Sequence, residues 1–123
     1  MTNDQRESKK YDLEERTAKF GEEIIKFVKR LPRNIVTDSL IKQLVRSATS
    51  IGANYSEADD AESGSDFKHK IGICKKEARE TKHWLRMIAV AEPEFKEDLK
   101  KLWQEAKELN LIFNAIIIKI KRK

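Results

Sequence analysis

Apolar residues recur along the chain in alternating steps of three and four, the spacing that gathers them on one face of an α-helix. The first ladder is Leu13, Thr17, Phe20, Ile24, Phe27 and Leu31. Leu31-Pro32 stops it, because the residue before a proline is pushed out of the helical region. The second runs Ile41, Leu44, Ala48, Ile51, Tyr55 and Ala58, with Thr37 or Asp38 expected to cap its start. Glu62-Ser63-Gly64 breaks the pattern, and Ser65 is the next expected cap. The third ladder is the cleanest: Phe67, Ile71, Cys74, Ala78, Thr81, Leu85 and Ile88, closed by Glu92-Pro93. The fourth runs Phe95, Leu99, Leu102, Ala106, Leu109, Phe113, Ile116 and Ile120.

These ladders predict helices of about 20–28 residues each. Short connections force successive helices to run antiparallel, so the expected fold class is all-α, an antiparallel up-down-up-down four-helix bundle. No alternating pattern predicts a strand. Residues 1–10, MTNDQRESKK, have nothing to bury and read as a flexible polar lead-in. That leaves 11–123 as a single domain, a length that supports one sizeable core.

Composition sharpens this picture in three ways. Charged residues make up 38% while the chain holds Gly 4 and Pro 2, a balance that favours long helices over loops. The net charge of +5 is mildly basic and compatible with a nucleic-acid partner. Cys74 stands alone, which excludes an intrachain disulfide and a cysteine-built metal site. The lead-in lacks an apolar signal core, and no apolar run reaches the roughly 18 residues of a membrane helix. A cytoplasmic protein with no membrane partner is expected.

Arg46 to Ala58, RSATSIGANYSEA, is the least helix-like stretch inside a predicted helix. Its Ser, Thr, Gly and Asn residues each cost a few tenths to about 1 kcal/mol relative to Ala. Ala48, Ile51, Tyr55 and Ala58 belong to the ladder. Arg46, Ser47, Ser50, Asn54 and Glu57 form a flanking stripe, read as a polar packing seam against another helix or subunit. Buried Asn54 and Glu57 need partners, and Arg46 or Arg79 is expected to serve.

The third and fourth helices also carry apolar residues off the ladder. Ile73, Trp84, Met87 and Ala91 make a second stripe on helix three, and the run LNLIFNAIIIKI adds Leu111, Ile112, Ile117 and Ile118 on helix four. A helix apolar nearly all round is buried nearly all round, and soluble monomers avoid large exposed apolar patches. Self-association is therefore expected, with Ile73, Trp84, Met87, Leu111, Ile112, Ile117 and Ile118 as candidate interface residues. A wide contact between helices one and four is the other way to cover them.

The chain lacks the parts of an active site. A carboxylate-bridged metal pair in a bundle needs two inward Glu-x-x-His units on separate helices. This chain offers Glu80 to His83, and its other histidine, His69, lies on the same helix. No metal and no cofactor are expected. Cys74 sits on a core ladder, where a thiol acts as a small hydrophobe. Ser47 and Ser50 have no nearby histidine to act as base, and Gly52 and Gly64 are too isolated for a phosphate loop. The sequence reads as a non-enzyme.

Its sharper feature is electrostatic. Lys68, Lys75, Arg79, Lys82 and Arg86 fall along one stripe of helix three, interrupted by Gly72. At about 1.5 Å per residue this ridge is roughly 27 Å long, enough to meet several phosphates of a nucleic acid. A second basic line, Arg16, Lys19, Lys26 and Arg30, lies on helix one, and the chain ends Lys119, Lys121, Arg122, Lys123. Against a phosphate-binding role stands the acidic stripe Asp98, Glu105 and Glu108 of helix four, which could face helix three and neutralise the ridge. No aromatic series interleaves the basic residues, which argues against sequence-specific reading of single strands.

Three runs together resemble a known family: YDLEERTAKF at Tyr11–Phe20, QLVRSATSIGANYSEA at Gln43–Ala58, and SGSDFKHKIGICKKEARETKHWL at Ser63–Leu85. They are similar to the four-helix-bundle proteins encoded in intervening sequences of bacterial 23S rRNA genes. The resemblance covers the chain from about Tyr11 onward and implies a ring-like homopentamer with no catalytic residues. A more distant resemblance, to the accessory protein of diversity-generating retroelements, implies a pentamer that binds nucleic acid and a reverse transcriptase through a basic surface. The expectation is a non-enzymatic homo-oligomer binding RNA or DNA backbone through helix three and the C-terminal cations. A scaffold docking a protein partner, with no nucleic-acid ligand, is the alternative.

Overall fold

The computed structural model describes the backbone of residues 3–121 and the side chains of residues 13–121. Four helices carry the four ladders: α1 (Asn3–Val28), α2 (Ile35–Asp59), α3 (Gly64–Ala91) and α4 (Lys96–Lys121). A 3-10 turn at Pro93–Phe95 joins the last two. The bounds of α1 reach back into the segment read as a lead-in, whose side chains lie outside the described residues, as do Arg122 and Lys123.

Both helix starts differ from expectation by a few residues. Asn34, in extended backbone, caps α2: its Oδ1 accepts from the backbone N–H groups of Val36 and Thr37 at 3.0 Å each. Thr37 Oγ1 accepts from the Asn34 N–H at 3.1 Å, so Thr37 closes a reciprocal capping box from inside the helix. Asp38 is therefore a first-turn acid that suits the helix dipole, and not the cap. Ser63 caps α3 through the Asp66 N–H, two residues before Ser65 could have done so. In both cases an extended residue with a short polar side chain precedes the expected one, and the earlier stop wins.

Each helix packs on its neighbours in sequence, α1 closes the square against α4, and the diagonal pairs make no close backbone approach. Side-chain registers show the antiparallel sense: Arg16 meets Glu105 while Arg30 meets Asp98, and Arg46 meets Glu77 while Glu57 meets Lys70. The fold is an all-α antiparallel four-helix bundle. Its core is the set of ladders, with Ile24, Leu44, Ile51, Ile71, Ile88, Leu109 and Phe113 fully buried. Each such side chain contributes about 1.5–3 kcal/mol by leaving water. Tyr55 and Phe113 tilt against each other across the core, ring centres 6.2 Å apart.

The stretch Arg46–Ala58 serves two seams. Toward α1, Gly52 admits the backbone of Thr17: a Cβ there would lie 3.4 Å from Thr17 C and O. Gly21 lies against Thr49 in the same crossing. Toward α3, Ser47 is buried with its Oγ 3.0 Å from Thr81 Oγ1, and each hydroxyl also reaches a carbonyl of its own helix. The α1–α4 seam is the sparsest of the four. It does not cover the surplus apolar residues of α4, since Leu111 stays 56% and Ile118 44% exposed.

Candidate nucleic-acid interface

An α-helix repeats every 3.6 residues, so positions 68, 75, 79, 82 and 86 share one narrow stripe of α3. That stripe borders α4. The Lys75 carbonyl accepts a hydrogen bond from Asn110 Nδ2 at 2.9 Å, and Lys82 Nζ lies 5.8 Å from the ring centre of Trp103. Lys68, Arg79 and Arg86 are exposed, while Lys75 and Lys82 are half-buried along their stems. Such burial leaves the ammonium in water while the methylenes cover apolar surface.

The acidic stripe of α4 does not neutralise this ridge. Arg16 donates to Glu105 through Nε and Nη2 at 2.7 Å each, and it lies 3.5 Å from Glu108. Arg30 pairs with Asp98 at 3.0 Å and lies near the Phe27 and Phe95 rings. Asp98, Glu105 and Glu108 thus face α1, on the opposite flank of α4 from α3. Within α1, Lys26 also lies near Glu23. Among the described residues no acid lies within ion-pair distance of Lys68, Lys75, Arg79, Lys82 or Arg86. The two basic lines of the sequence are therefore not equivalent: both arginines of the first line, Arg16 and Arg30, are committed to acids of α4, and the helix-three ridge has no such pairs.

The flank of α4 that does face α3 carries Lys96, Lys100, Trp103 and Lys107. Lys107 Nζ lies 5.6 Å from the Trp103 ring centre, close to the distance of Lys82 on the other helix. The sequence reading missed these residues because it sought aromatics within helix three alone. The signal was present as the spacing 96, 100, 103, 107, one stripe of a single helix. Of the C-terminal cations, Lys119 and Lys121 are exposed at the far end of α4.

The polar seam lies on the other side of α3. Arg46 reaches Glu77 at 2.9 Å and Glu80 at 2.8 Å, with the Glu77 side chain 7% exposed. The guanidinium beside Glu80 holds that carboxyl below its ordinary value, and the two acids raise Arg46 in turn. Asn54 Nδ2 donates to Ser50 O and Oγ at 2.9 Å each, and Glu57 pairs with Lys70. Asn54 and Glu57 thus find Ser50 and Lys70, and not Arg46 or Arg79, because they lie toward the opposite end of the seam from Arg46. Burial pushes the Cys74 thiol up to about 12, and its Sγ lies 3.6 Å from the Ile51 carbonyl.

The candidate interface residues divide. Trp84 and Ile117 pack against the chain's own core, while Ile73, Met87 and Ile112 are half-buried outside it. His83 sets its ring edge-on to Trp84, centres 4.9 Å apart. A shallow groove of about 890 Å³ between α1 and α2 carries Glu14, Glu15 and Glu22, a lining that repels phosphate. Among the described residues no helix is long and apolar enough to cross a membrane.

Comparisons with known proteins agree with the four-helix fold. The family model "23S rRNA-intervening sequence protein" matches residues 9–115. The chain belongs to that family. A crystal structure from Bacteroides thetaiotaomicron VPI-5482, of a protein of unknown function from the S23 ribosomal protein family, is similar at 31% identity with a TM-score of 0.75. The match covers 85% of this chain and 96% of that one. No curated protein matches the sequence.

Proposed function

We propose that this member of the 23S rRNA-intervening sequence protein family is a non-enzymatic, cytoplasmic, homo-oligomeric module that binds nucleic acid by its phosphates along α3. The observation that carries the reading is the unequal treatment of cations. Arg16 and Arg30 of the first basic line are matched by acids of α4, whereas Lys68, Lys75, Arg79, Lys82 and Arg86 have no acid within ion-pair distance among the described residues. A ridge of unneutralised cations repels itself, and a polyanion relieves that repulsion while releasing its own counterions. Lys119 and Lys121 add exposed charge at the C-terminal end of α4, and Arg122 and Lys123 continue the basic run in the sequence. The family's description associates it with an insertion in rRNA, which makes structured RNA the first ligand to try.

Self-association rests on the exposed Leu111 and Ile118 of α4 and on the half-buried Ile73, Met87 and Ile112. The pentamer is implied by the family resemblance. Light scattering at micromolar concentration tests it, and a clean monomer mass contradicts it.

Anisotropy of labelled structured RNA and DNA at two salt concentrations tests the main reading. Binding that weakens steeply with salt is expected, and charge reversal of Lys75, Arg79 and Lys82 abolishes it. No binding at low salt sinks the proposal. A second reading, docking of a protein, draws on Ile35, Val36 and Val90, which are 89%, 54% and 78% exposed at the ends of α2 and α3. A partner captured by the wild type, and still captured by the charge-reversed protein, would favour it.

A further inference from the structure

We infer that the α3–α4 groove at Trp103 receives an unpaired base of a structured RNA whose phosphates lie on the ridge. This rests on the nucleic-acid reading above. The groove encloses about 350 Å³ and is walled by Leu85, Leu99 and Trp103. Arg86, Lys96 and Lys100 stand around it, so cations from both helices surround an apolar floor. The Trp103 ring has Lys82 and Lys107 near it at 5.8 and 5.6 Å, which places further positive charge beside the same aromatic surface.

Phosphate alone gains nothing from an apolar floor, and a purely apolar ligand gains nothing from these cations. An unpaired nucleotide has both parts, a flat base of low polarity on its faces and an anionic linkage beside it. Bases inside a helix are already stacked and cannot enter, whereas loops and bulges of folded RNA offer splayed bases to aromatic side chains. The groove also lies where such a base would be delivered. Arg86 belongs both to the ridge and to the groove, so a strand whose phosphates follow the ridge arrives at its mouth.

The test uses a Trp84→Phe protein, which leaves Trp103 as the sole tryptophan of a chain with Trp 2. It is titrated with an RNA hairpin carrying unpaired purines and with the same stem as a blunt duplex, following both label anisotropy and tryptophan emission. The hairpin is expected to quench Trp103 in step with binding, and the duplex to bind without quenching. Trp103→Ala is expected to weaken hairpin binding roughly tenfold or more, with duplex binding changed less than about twofold. Ala89→Phe fills the groove from its α3 side and serves if circular dichroism shows that Trp103→Ala unfolds; it should abolish the preference for the hairpin. Equal binding of hairpin and duplex with unmoved emission overturns the base site and leaves the phosphate ridge standing. Absence of RNA binding at low salt removes both.

Discussion

Arg16 on α1 grips Glu105 on α4 with two parallel hydrogen bonds of 2.7 Å, across the thinnest seam of the bundle. Both side chains are about one-third exposed, at 30% and 28%. A forked pair in that setting is stronger than an open surface pair. A double-mutant cycle with Arg16→Ala and Glu105→Ala is expected to return a coupling of about 0.5–1.5 kcal/mol. RNA affinity should be unchanged in the Arg16 variant, because that cation is already committed. A loss of affinity as large as that from Arg79→Ala would show the ridge is not special.

The α1–α2 crossing depends on Gly52 more than on Gly21. A Cβ at position 21 meets Thr49 at 3.7 Å, an ordinary contact. Gly21→Ala should therefore stabilise by about 0.5–1 kcal/mol through helix propensity. Gly52→Leu forces a branched side chain against the Thr17 backbone and should cost about 1–3 kcal/mol. Denaturant midpoints check both.

Acid should loosen the α2–α3 seam. Arg46 holds the Glu80 carboxyl below its ordinary 4.5, with Glu77 beside it. A carboxyl with a depressed folded value stabilises above its unfolded value and loses that contribution as pH falls through the folded one. The midpoint of unfolding should thus decline below about pH 4.5, and Glu80→Gln should flatten that decline. Glu92, raised chiefly by its hydrogen bond with Glu94, has the opposite sign and is untouched by the variant. An unchanged acid limb in Glu80→Gln would remove the pair from the account.

The ridge has one gap, and filling it should strengthen binding. A Cβ at Gly72 meets nothing within 4 Å, so a side chain there projects into solvent between Lys68 and Lys75. Gly72→Lys should stabilise α3 by up to about 1 kcal/mol. It should also steepen the salt dependence of RNA binding by roughly one unit of slope. Gly72→Ala separates the two effects, since it shares the stability gain without the charge.

Cys74 should be silent toward thiol reagents in the native protein. It is fully buried and its thiol is held at about 12, so labelling should proceed no faster than unfolding and should accelerate with denaturant. Rapid labelling in buffer would contradict the buried position.

The ladders were legible because a 3.6-residue period is written in every turn. Ile51, Cys74, Leu109 and Phe113 are core for the reason their spacing gives. The caps were less legible, since Thr37 is a sound cap by type and loses to Asn34 through the extended backbone left by Pro32 and Arg33. The facing of Asp98, Glu105 and Glu108 was not legible at all. Periodicity tells which flank of a helix a residue occupies, but not the sense in which the bundle turns, and that sense decides whether the flank meets α1 or α3. The stripe 96, 100, 103 and 107 was legible by its spacing, but the groove beside Trp103 was not, because it exists only once α4 is laid beside α3.

The same placement of acids makes the protein electrically lopsided. One wall is stitched shut by opposite charges, and on the neighbouring wall the α3 cations have no acid within ion-pair distance among the described residues. In physiological salt, fields fade over about 8 Å, so a polyanion senses the nearest wall and little of the rest. Collisions on the cationic wall are prolonged and those on the acidic α1–α2 side are shortened. On the phosphate-binding reading proposed above, orientation is then chosen during encounter, before any side chain has closed on its ligand.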